Sequence, residues 1–148
     1  MYTYKRSEHI DLPPAAVFNF VTNQEELPKW SPEVVKSEVE PAGPIKTGSK
    51  LNQIRKRGRK EMKTSVEVVT HDPPKMHAVK ARVLGVDSTF TFTFDQENSG
   101  TRVELKAEII GRGLGRLFES SMGRMMEQAD DKLLERLKTV ISAESSDK

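Results

Sequence analysis

Histidines have the widest chemical repertoire of the side chains in this sequence, and there are three of them, His9, His71 and His77. They are scattered along the chain, with no His-x-x-x-His spacing, no cysteine and no paired carboxylates beside them. Metal sites are built from such ligands at such spacings. The sequence therefore predicts no metal site, and the absence of cysteine excludes thiolate chemistry and disulfides.

His77 is the only histidine whose position indicates a role. It has the strand parity of Val79, Ala81 and Val83, so its ring can point inward and either orient a ligand or act as a general base. A histidine at the start of a strand can instead lie at the solvated rim of a sheet, and the pattern favours this second position. No catalytic residue is assigned from the sequence.

Three glycines, Gly111, Gly113 and Gly115, lie between a strand-like and a helix-like segment. This arrangement has a superficial likeness to a dinucleotide-binding loop. That fingerprint requires a further glycine where this chain has Arg116, and a parallel strand after the helix. We therefore expect these glycines to allow a sharp turn into the helix, and we expect no cofactor.

Five cations surround Gly58 in the segment from Arg55 to Lys60. Such a cluster can contact phosphate or an acidic partner. Gly58 lies between two strand-like segments, however, and this favours the solvated tip of a hairpin. The formal net charge of +2 is too small to indicate a nucleic-acid partner. A protein partner bound through this segment remains the alternative.

Trp30 is the only tryptophan and lies in a loop between two prolines. In such a loop an indole can cap a pocket, with its ring in apolar surroundings and its N–H in water. It can equally fill the core between the loop and a sheet. The sequence leaves both positions open.

The last third of the chain has the pattern of a long amphipathic helix. Its apolar residues recur in steps of three and four, the period of a helix with one buried stripe. The first half of the stripe is rich in methionine, which adapts to irregular space and varied ligands, and the second half is rich in leucine. The stripe consists of Leu114, Leu117, Phe118, Met122, Met125, Met126, Ala129, Leu133, Leu134, Leu137, Val140 and Ile141.

Between residues 35 and 110, apolar and polar residues alternate with period two, which is typical of strands. We expect a first strand over residues 2–10, a short helix after the prolines at 13 and 14, and then about six antiparallel strands. Strands followed by a helix indicate an α+β fold. The register of the strand at residues 49–57 stays open, because either Gln53 and Arg55 or Ile54 can point inward.

The composition is that of a well-solvated globular protein, with 35% hydrophobic and 31% charged residues. No apolar segment approaches the ~18 residues of a membrane span, and residues 1–6 lack the apolar stretch of a secretory signal. We therefore expect a cytoplasmic protein. At 148 residues, we expect one domain over residues 1–148, with a frayed polar tail at 142–148.

Several short segments lie where one of these elements ends and the next begins. They are Ile10 to Val21, Leu27 to Val34, Gly43-Pro44, Thr47-Gly48, Pro73-Pro74 and Gly100 to Val103. In this order they resemble the START-like or SRPBCC superfamily, which includes polyketide cyclase/dehydrase and lipid-transport proteins. The resemblance implies the helix-grip fold, a curved seven-stranded antiparallel sheet around a long C-terminal helix, with two short helices after the first strand. Members of this superfamily share no universal catalytic set.

The resemblance also implies a cavity between sheet and helix that holds a small hydrophobic or amphipathic molecule, such as a lipid, a polyketide or a quinone-like compound. Ligand cavities usually measure about 300–1,000 Å³. One alternative is an enzyme of the polyketide cyclase/dehydrase type, and another is a protein-interaction module that uses the basic segment. The residues expected to line the cavity are Trp30, His77, Val79, Phe90, Phe92, Leu105, Met122 and Met126.

Overall fold

The computed structural model describes residues 1–146, and its elements follow one another in the predicted order. Two short helices follow the first strand, six further strands come next, and a helical segment follows them. The strands are β1 (Tyr2–Ile10), β2 (Val34–Glu40), β3 (Lys50–Arg57), β4 (Lys60–Asp72), β5 (Met76–Val83), β6 (Val86–Glu97) and β7 (Gly100–Gly111). The helices are α1 (Pro14–Thr22), α2 (Leu27–Trp30), α3 (Glu119–Asp130) and α4 (Leu133–Ser146), with a 3-10 turn at Gly113–Leu117 before α3.

All seven strands form one antiparallel sheet in the order β1-β7-β6-β5-β4-β3-β2. Strands β2 to β7 lie beside their neighbours in sequence, and β1 pairs with β7 at the far edge. Because side chains alternate along a strand, one parity of each strand faces the helices, except where register shifts in β2 and β4 change the parity. Phe90 pairs with Val79 and Ala107 in this way, and all three lie on the inner face. The predicted curved sheet with its long C-terminal helix is confirmed.

The main hydrophobic core lies between strands β6 and β7 and the helices α1, α2 and α4. α1 begins at Pro14, in a first turn where a missing N–H breaks no helical bond. α4 contributes Leu133, Leu134, Leu137 and Ile141, which are all buried. The leucine-rich half of the predicted stripe is therefore part of the core.

The C-terminal helix differs from the prediction in two places. It is interrupted by a turn at Asp131 and Lys132, so α3 and α4 are separate segments. The segment before α3 is a 3-10 turn, and its Leu114 and Leu117, with the adjacent Phe118, are exposed instead of continuing the buried stripe. Strand β7 has already ended there, and the turn packs through the Gly115 backbone on Gly85 and Gly111, which leaves its leucine side chains uncovered. Residues 142–146 of the predicted tail continue α4 as helix, and residues 147 and 148 lie outside the described residues.

Two negative findings hold for residues 1–146. None of their helices combines the length and apolarity that crossing a membrane requires. They contain no group of three or more histidine, aspartate or glutamate side chains that could hold a metal ion. His9 instead bonds to Glu97 and Asp11 near the end of β1, while His71 and His77 contact each other.

Candidate functional site

The inner face of the sheet is incompletely covered beneath α3. This helix packs on β1 and β7, at one side of the sheet. Phe90 on β6 and Val79 on β5 point to the inner face, yet both remain half-buried, as do Met122 and Met126 on α3. In a close-packed core such apolar side chains are buried completely. From the partial exposure of these four side chains we infer a groove between α3 and strands β3 to β6, which we call the α3 groove.

The α3 groove opens at the end of the sheet where β5 turns into β6. The inward-facing Met62 and Val83 are exposed there, and so is Met125 on α3. The Arg57 guanidinium reaches from β3 to α3 and donates a hydrogen bond to the Met125 sulfur at 3.3 Å. A single arginine side chain therefore spans the opening.

A cluster of polar side chains lies next to the α3 groove, one helical turn beyond Met126. The Tyr4 hydroxyl donates a hydrogen bond to Asp130 Oδ2 at 2.5 Å. The Arg55 guanidinium interacts electrostatically with the same carboxylate, and its Nε donates to the Gln53 side-chain oxygen at 3.1 Å. The apolar groove is thus bordered by a carboxyl, a hydroxyl and a guanidinium group.

Burial perturbs the proton affinity of each member of this polar cluster. Loss of water raises the pKa of the Asp130 carboxyl, although the hydrogen bond from Tyr4 and the charge of Arg55 oppose the shift. Burial lowers the pKa of Arg55, whose guanidinium nevertheless stays protonated. Burial and the Asp130 charge raise the pKa of Tyr4. A carboxyl with a raised pKa beside a groove is a typical functional group, so Asp130 is the leading candidate for proton transfer.

The register of β3 puts Leu51, Gln53 and Arg55 on the inner face. Leu51 and Gln53 are buried, whereas Ile54 lies on the opposite face and is half-buried. Gln53 pairs with Thr64 on β4, so two polar side chains are neighbours inside the sheet. Of the two registers that the sequence left open, the one with Ile54 inward is excluded.

Two buried hydrogen-bond donors, the Trp30 indole nitrogen and the Thr64 hydroxyl, have no partner among the described residues. Buried donors in folded proteins are nearly always satisfied by protein or by ordered water. An unsatisfied buried donor is unfavourable by about 1–3 kcal/mol. An acceptor atom of an ordered water or of a bound molecule would remove this penalty.

The eight side chains predicted to line the cavity fall into three groups. Four outline the α3 groove, namely Val79, Phe90, Met122 and Met126. Three belong to the main core, namely Trp30, Phe92 and Leu105. Trp30 is 2% exposed and meets the Phe92 ring edge to face at 6.2 Å, so it fills the core and does not cap an exposed pocket. The eighth, His77, lies opposite Phe92 at the edge of the main core and outside the α3 groove.

His77 is buried, and its predicted position at a solvated rim is wrong. It is 4% exposed, its Nδ1 lies 3.1 Å from Nδ1 of His71, and its ring meets that of Phe18 on α1. Burial, with a smaller contribution from His71, lowers the pKa of His77 to about 4. The side chain is therefore neutral at pH 7 and packs beside α1.

The basic segment forms the predicted hairpin turn between β3 and β4. Gly58 lies at its tip with a φ of 62°, a conformation that glycine adopts without steric penalty. Arg55 does not belong to the exposed tip, because it points to the inner face. Arg57 pairs with Glu33 at 3.4 Å. The tip consequently offers fewer exposed cations than the sequence indicated.

A separate cavity of about 720 Å³ lies outside the α3 groove. Its walls are the segment 22–25 after α1, strand β2 and the loop at residues 42–45. None of the eight predicted residues lines it. Its lining combines apolar side chains with the ion pair of Lys36 and Glu38, whose Nζ and Oε1 lie 2.8 Å apart. We therefore regard the α3 groove as the better site for an apolar molecule.

The sequence indicated only one member of the polar cluster, because Arg55 was expected to point inward in one of the two registers of its strand, whereas Tyr4 and Asp130 were not identified. A signal was present, because Asp130 stands within the apolar stripe, between Met126 and Leu133. An acidic residue at such a position is either exposed or specifically bonded. Its partner Tyr4 is 126 positions away in the chain, and no local pattern connects the two.

Comparisons with known proteins agree with this architecture. A family model described as polyketide cyclase/dehydrase and lipid transport matches residues 1–142. No curated protein matches the chain.

Solved structures share the fold at low sequence identity. Ara h 8.0201 has a TM-score of 0.76 at 14% identity, over 96% of this chain and 98% of its own. TTHA0849 from Thermus thermophilus has a TM-score of 0.74 at 20% identity, over 97% and 99%. The di-domain ARO/CYC protein StfQ from the steffimycin biosynthetic pathway has a TM-score of 0.76 at 11% identity, over 98% of this chain and 52% of its own. At these identities the likeness concerns the fold alone.

Proposed function

This chain belongs to the polyketide cyclase/dehydrase and lipid transport family, and we propose that it binds a small hydrophobic or amphipathic molecule in the α3 groove. The ligand class is that of a lipid, a polyketide or a quinone-like compound. We also propose that the protein is cytoplasmic, as the sequence predicts.

The observation that carries the proposal is the half-burial of four inward-facing apolar side chains, Val79, Phe90, Met122 and Met126. Apolar surface that remains in water is unfavourable by about 25 cal/mol per Å². A ligand that covers roughly 200 Å² of this surface would gain about 5 kcal/mol from desolvation. The methionines favour a ligand of irregular shape, because their side chains adapt to the space available.

The polar cluster beside the groove gives the ligand an orientation. The Arg55 guanidinium is suited to a carbonyl or carboxylate oxygen, and the Asp130 carboxyl to a hydroxyl group. The unpartnered Thr64 hydroxyl, beside Gln53 on the inner face, adds a further position for an acceptor atom. These groups support a molecule with an apolar body and at least one oxygen-bearing end.

The direct test is a fluorescence titration with 8-anilinonaphthalene-1-sulfonate, an apolar aromatic probe that carries one anionic group. We expect the wild-type protein to bind it with enhanced emission. Met126→Gln places a polar side chain in the groove and should weaken binding about tenfold. Met76→Gln is the matched control, because Met76 is an exposed methionine at the opposite end of the sheet.

The two variants give a clear outcome. Weaker binding in Met126→Gln with unchanged binding in Met76→Gln supports the α3 groove. Equal affinities in the wild type and Met126→Gln would contradict the proposal. Near-UV circular dichroism should be the same in all three proteins, which excludes a response of the probe to a loosened core.

The raised pKa of Asp130 favours a second candidate function, an enzyme that uses the same groove. Cyclisation and dehydration of a polyketide both require removal of a proton next to a carbonyl. Asp130 could accept that proton, and Arg55 could stabilise the enolate oxygen. His77, the candidate in the sequence reasoning, is less suitable because it packs beside α1 and contacts His71.

Exchange of the α-protons of 2-tetralone in D₂O, followed by proton NMR, tests this activity. Asp130→Asn should reduce exchange to the background rate and leave the affinity for the fluorescent probe within about twofold. His77→Gln should leave exchange unchanged. Wild-type exchange at the background rate would argue against this activity, whereas binding alone would remain supported by the probe titration.

A protein partner bound through the basic hairpin remains a further prediction. Its exposed cations include Arg59 and Lys60, which form no ion pair within 4 Å among the described residues. Reversal of both charges should weaken such a complex, and added salt should do the same. A complex indifferent to both changes would exclude this surface.

A further inference from the structure

Three leucines project from two neighbouring loops at one end of the sheet. Leu84 lies in the turn between β5 and β6 and is 70% exposed, while Leu114 and Leu117 in the 3-10 turn are 82% and 77% exposed. Val83 and Phe118 beside them are also exposed. We call these five residues the leucine surface. Contiguous exposed apolar side chains of this kind mark interaction sites.

Leu84 is not explained by the geometry of its turn. Leu84 and Gly85 form a two-residue hairpin loop with φ angles of 53° and 73°. Positive φ at both positions is the pattern of a type I′ turn, which strongly favours Asn-Gly. A leucine in this conformation is strained, because its Cβ crowds the backbone. The turn conformation is unfavourable for leucine, and the exposed side chain gains no free energy from burial. An interaction at the surface is therefore the remaining role for this side chain.

The two loops are held together as one rigid platform. The Arg112 backbone N–H donates to the Gly85 carbonyl oxygen at 2.9 Å. A Cβ added at Gly115 would lie 2.3 Å from that same oxygen, so the close approach requires glycine. The leucines on both sides of this contact therefore keep a fixed arrangement.

Cations surround the leucine surface. Lys80, Arg82 and Arg112 share a single carboxylate, the buried Asp87, which leaves a local excess of positive charge. Arg116, between the two leucines of the 3-10 turn, is exposed and has no ion pair within 4 Å in the described part of the chain, although its charge acts on the Glu119 carboxylate, which also pairs with the N-terminal amine. The basic hairpin tip lies at the same end of the sheet. A binding partner of this surface should therefore be negatively charged.

We propose that the leucine surface docks on an anionic lipid bilayer, with the leucines in the interfacial region and the surrounding cations at the lipid phosphates. Projecting loop tips fit a fluid bilayer, which adapts to their shape, better than a preformed protein surface. Protein interfaces also use leucine less than tryptophan, tyrosine and arginine as anchors. The leucine surface shares Val83 with the opening of the α3 groove, but the inference does not depend on what the groove binds.

The test is flotation of the full-length protein with vesicles of phosphatidylcholine, alone or mixed with phosphatidylglycerol. We expect binding to the mixed vesicles that falls with added salt, and weaker binding to phosphatidylcholine alone. Leu114→Gln and Leu117→Gln should each lower the partition coefficient at least about tenfold. Arg116→Glu should lower it for mixed vesicles only.

Leu84→Asn separates docking from folding. Asparagine tolerates positive φ, so this variant should raise Tm by about 3 °C while it lowers the partition coefficient. Loss of binding in a more stable protein cannot come from unfolding. Met76→Gln and Lys75→Glu, at the opposite end of the sheet, are the matched controls and should bind as the wild type does.

Three results would overturn the proposal. The first is a wild-type protein that does not float with the mixed vesicles. The second is wild-type binding by both Leu114→Gln and Leu117→Gln, or losses of equal size in the two control variants. The third is a wild-type dimer that Leu114→Gln converts to a monomer without any vesicle binding, because the occupant would then be a second copy of the chain.

Discussion

Alanine substitutions at Leu137 and Met126 separate the two halves of the C-terminal helix. Leu137 is 0% exposed within the main core. Its truncation loses the transfer free energy of the removed atoms and leaves a cavity, which together reduce stability by about 3 kcal/mol. Met126 is half-buried beside the α3 groove. Its truncation should lose only part of the transfer free energy, about 1 kcal/mol, and should create no closed cavity.

Urea unfolding monitored by the emission of Trp30 measures both effects. Trp30 is the single tryptophan and lies in the same core as Leu137, so its emission reports the global transition. At equal m values, the shift of the midpoint gives the difference in the free energy of unfolding. For a domain of this size, 1 kcal/mol corresponds to about 3 °C in Tm. We therefore expect Tm to fall by about 9 °C in Leu137→Ala and about 3 °C in Met126→Ala.

Equal losses in the two variants would refute this reasoning, because α3 would then be packed on the sheet as tightly as α4. Leu134→Ala is a control within the same half of the helix and should resemble Leu137→Ala, since Leu134 is also buried. In the probe titration the order should reverse, with Met126→Ala weakening binding and Leu137→Ala leaving it unchanged in the folded protein.

The remaining predictions concern acid stability and a glycine that lies close to a backbone atom. Burial lowers the pKa of His77 in the folded protein to about 4 from 6.5. The stability that depends on neutral His77 is therefore fully present above pH 6.5. Up to about 3 kcal/mol of it is lost as the pH falls towards 4. The free-energy difference between wild type and His77→Gln, measured by urea unfolding, should shrink over that interval, and a constant difference would contradict the shift. A Cβ at Gly100 would lie 2.4 Å from the Ile10 carbonyl oxygen, so Gly100→Ala should destabilise by at least about 2 kcal/mol. A Cβ at Gly58 would lie within 4 Å of no other atom, so Gly58→Ala should destabilise by only about 1 kcal/mol, because of its positive φ. Equal losses of stability in Gly100→Ala and Gly58→Ala, measured by thermal unfolding, would exclude the steric clash at Gly100 as the cause.

Local patterns predicted most of the backbone, because each strand carries its own alternation and its own turn residues. The segment from Thr89 to Phe94 illustrates this, since its threonines and phenylalanines alternate between the two faces of β6. The long helix was predicted less well. Its stripe continues through residues 114–118 in the sequence, but the sheet has ended there, and only the three-dimensional structure shows that nothing covers Leu114 and Leu117.

The candidate site was predictable only in part. Met122 and Met126 could be distinguished in the sequence from the leucines of the core. Methionine is typical of irregularly shaped cavities, because its side chain is flexible. The polar cluster depends on contacts between β1, β3 and α3. The alternation of side chains within one strand does not show which other elements lie against it. Tyr4 and Asp130 illustrate this, since each has an ordinary place in its own element and acquires its role only through the other.

Six methionines make a direct measurement of ligand placement possible. With ¹³C-methyl methionine, titration with 8-anilinonaphthalene-1-sulfonate should shift the resonances of Met122 and Met126, which border the α3 groove, and leave that of Met76 unchanged. Saturation of the protein with no shift at Met122 and Met126, or with shifts confined to Met76 and Met1, would contradict binding between α3 and the sheet.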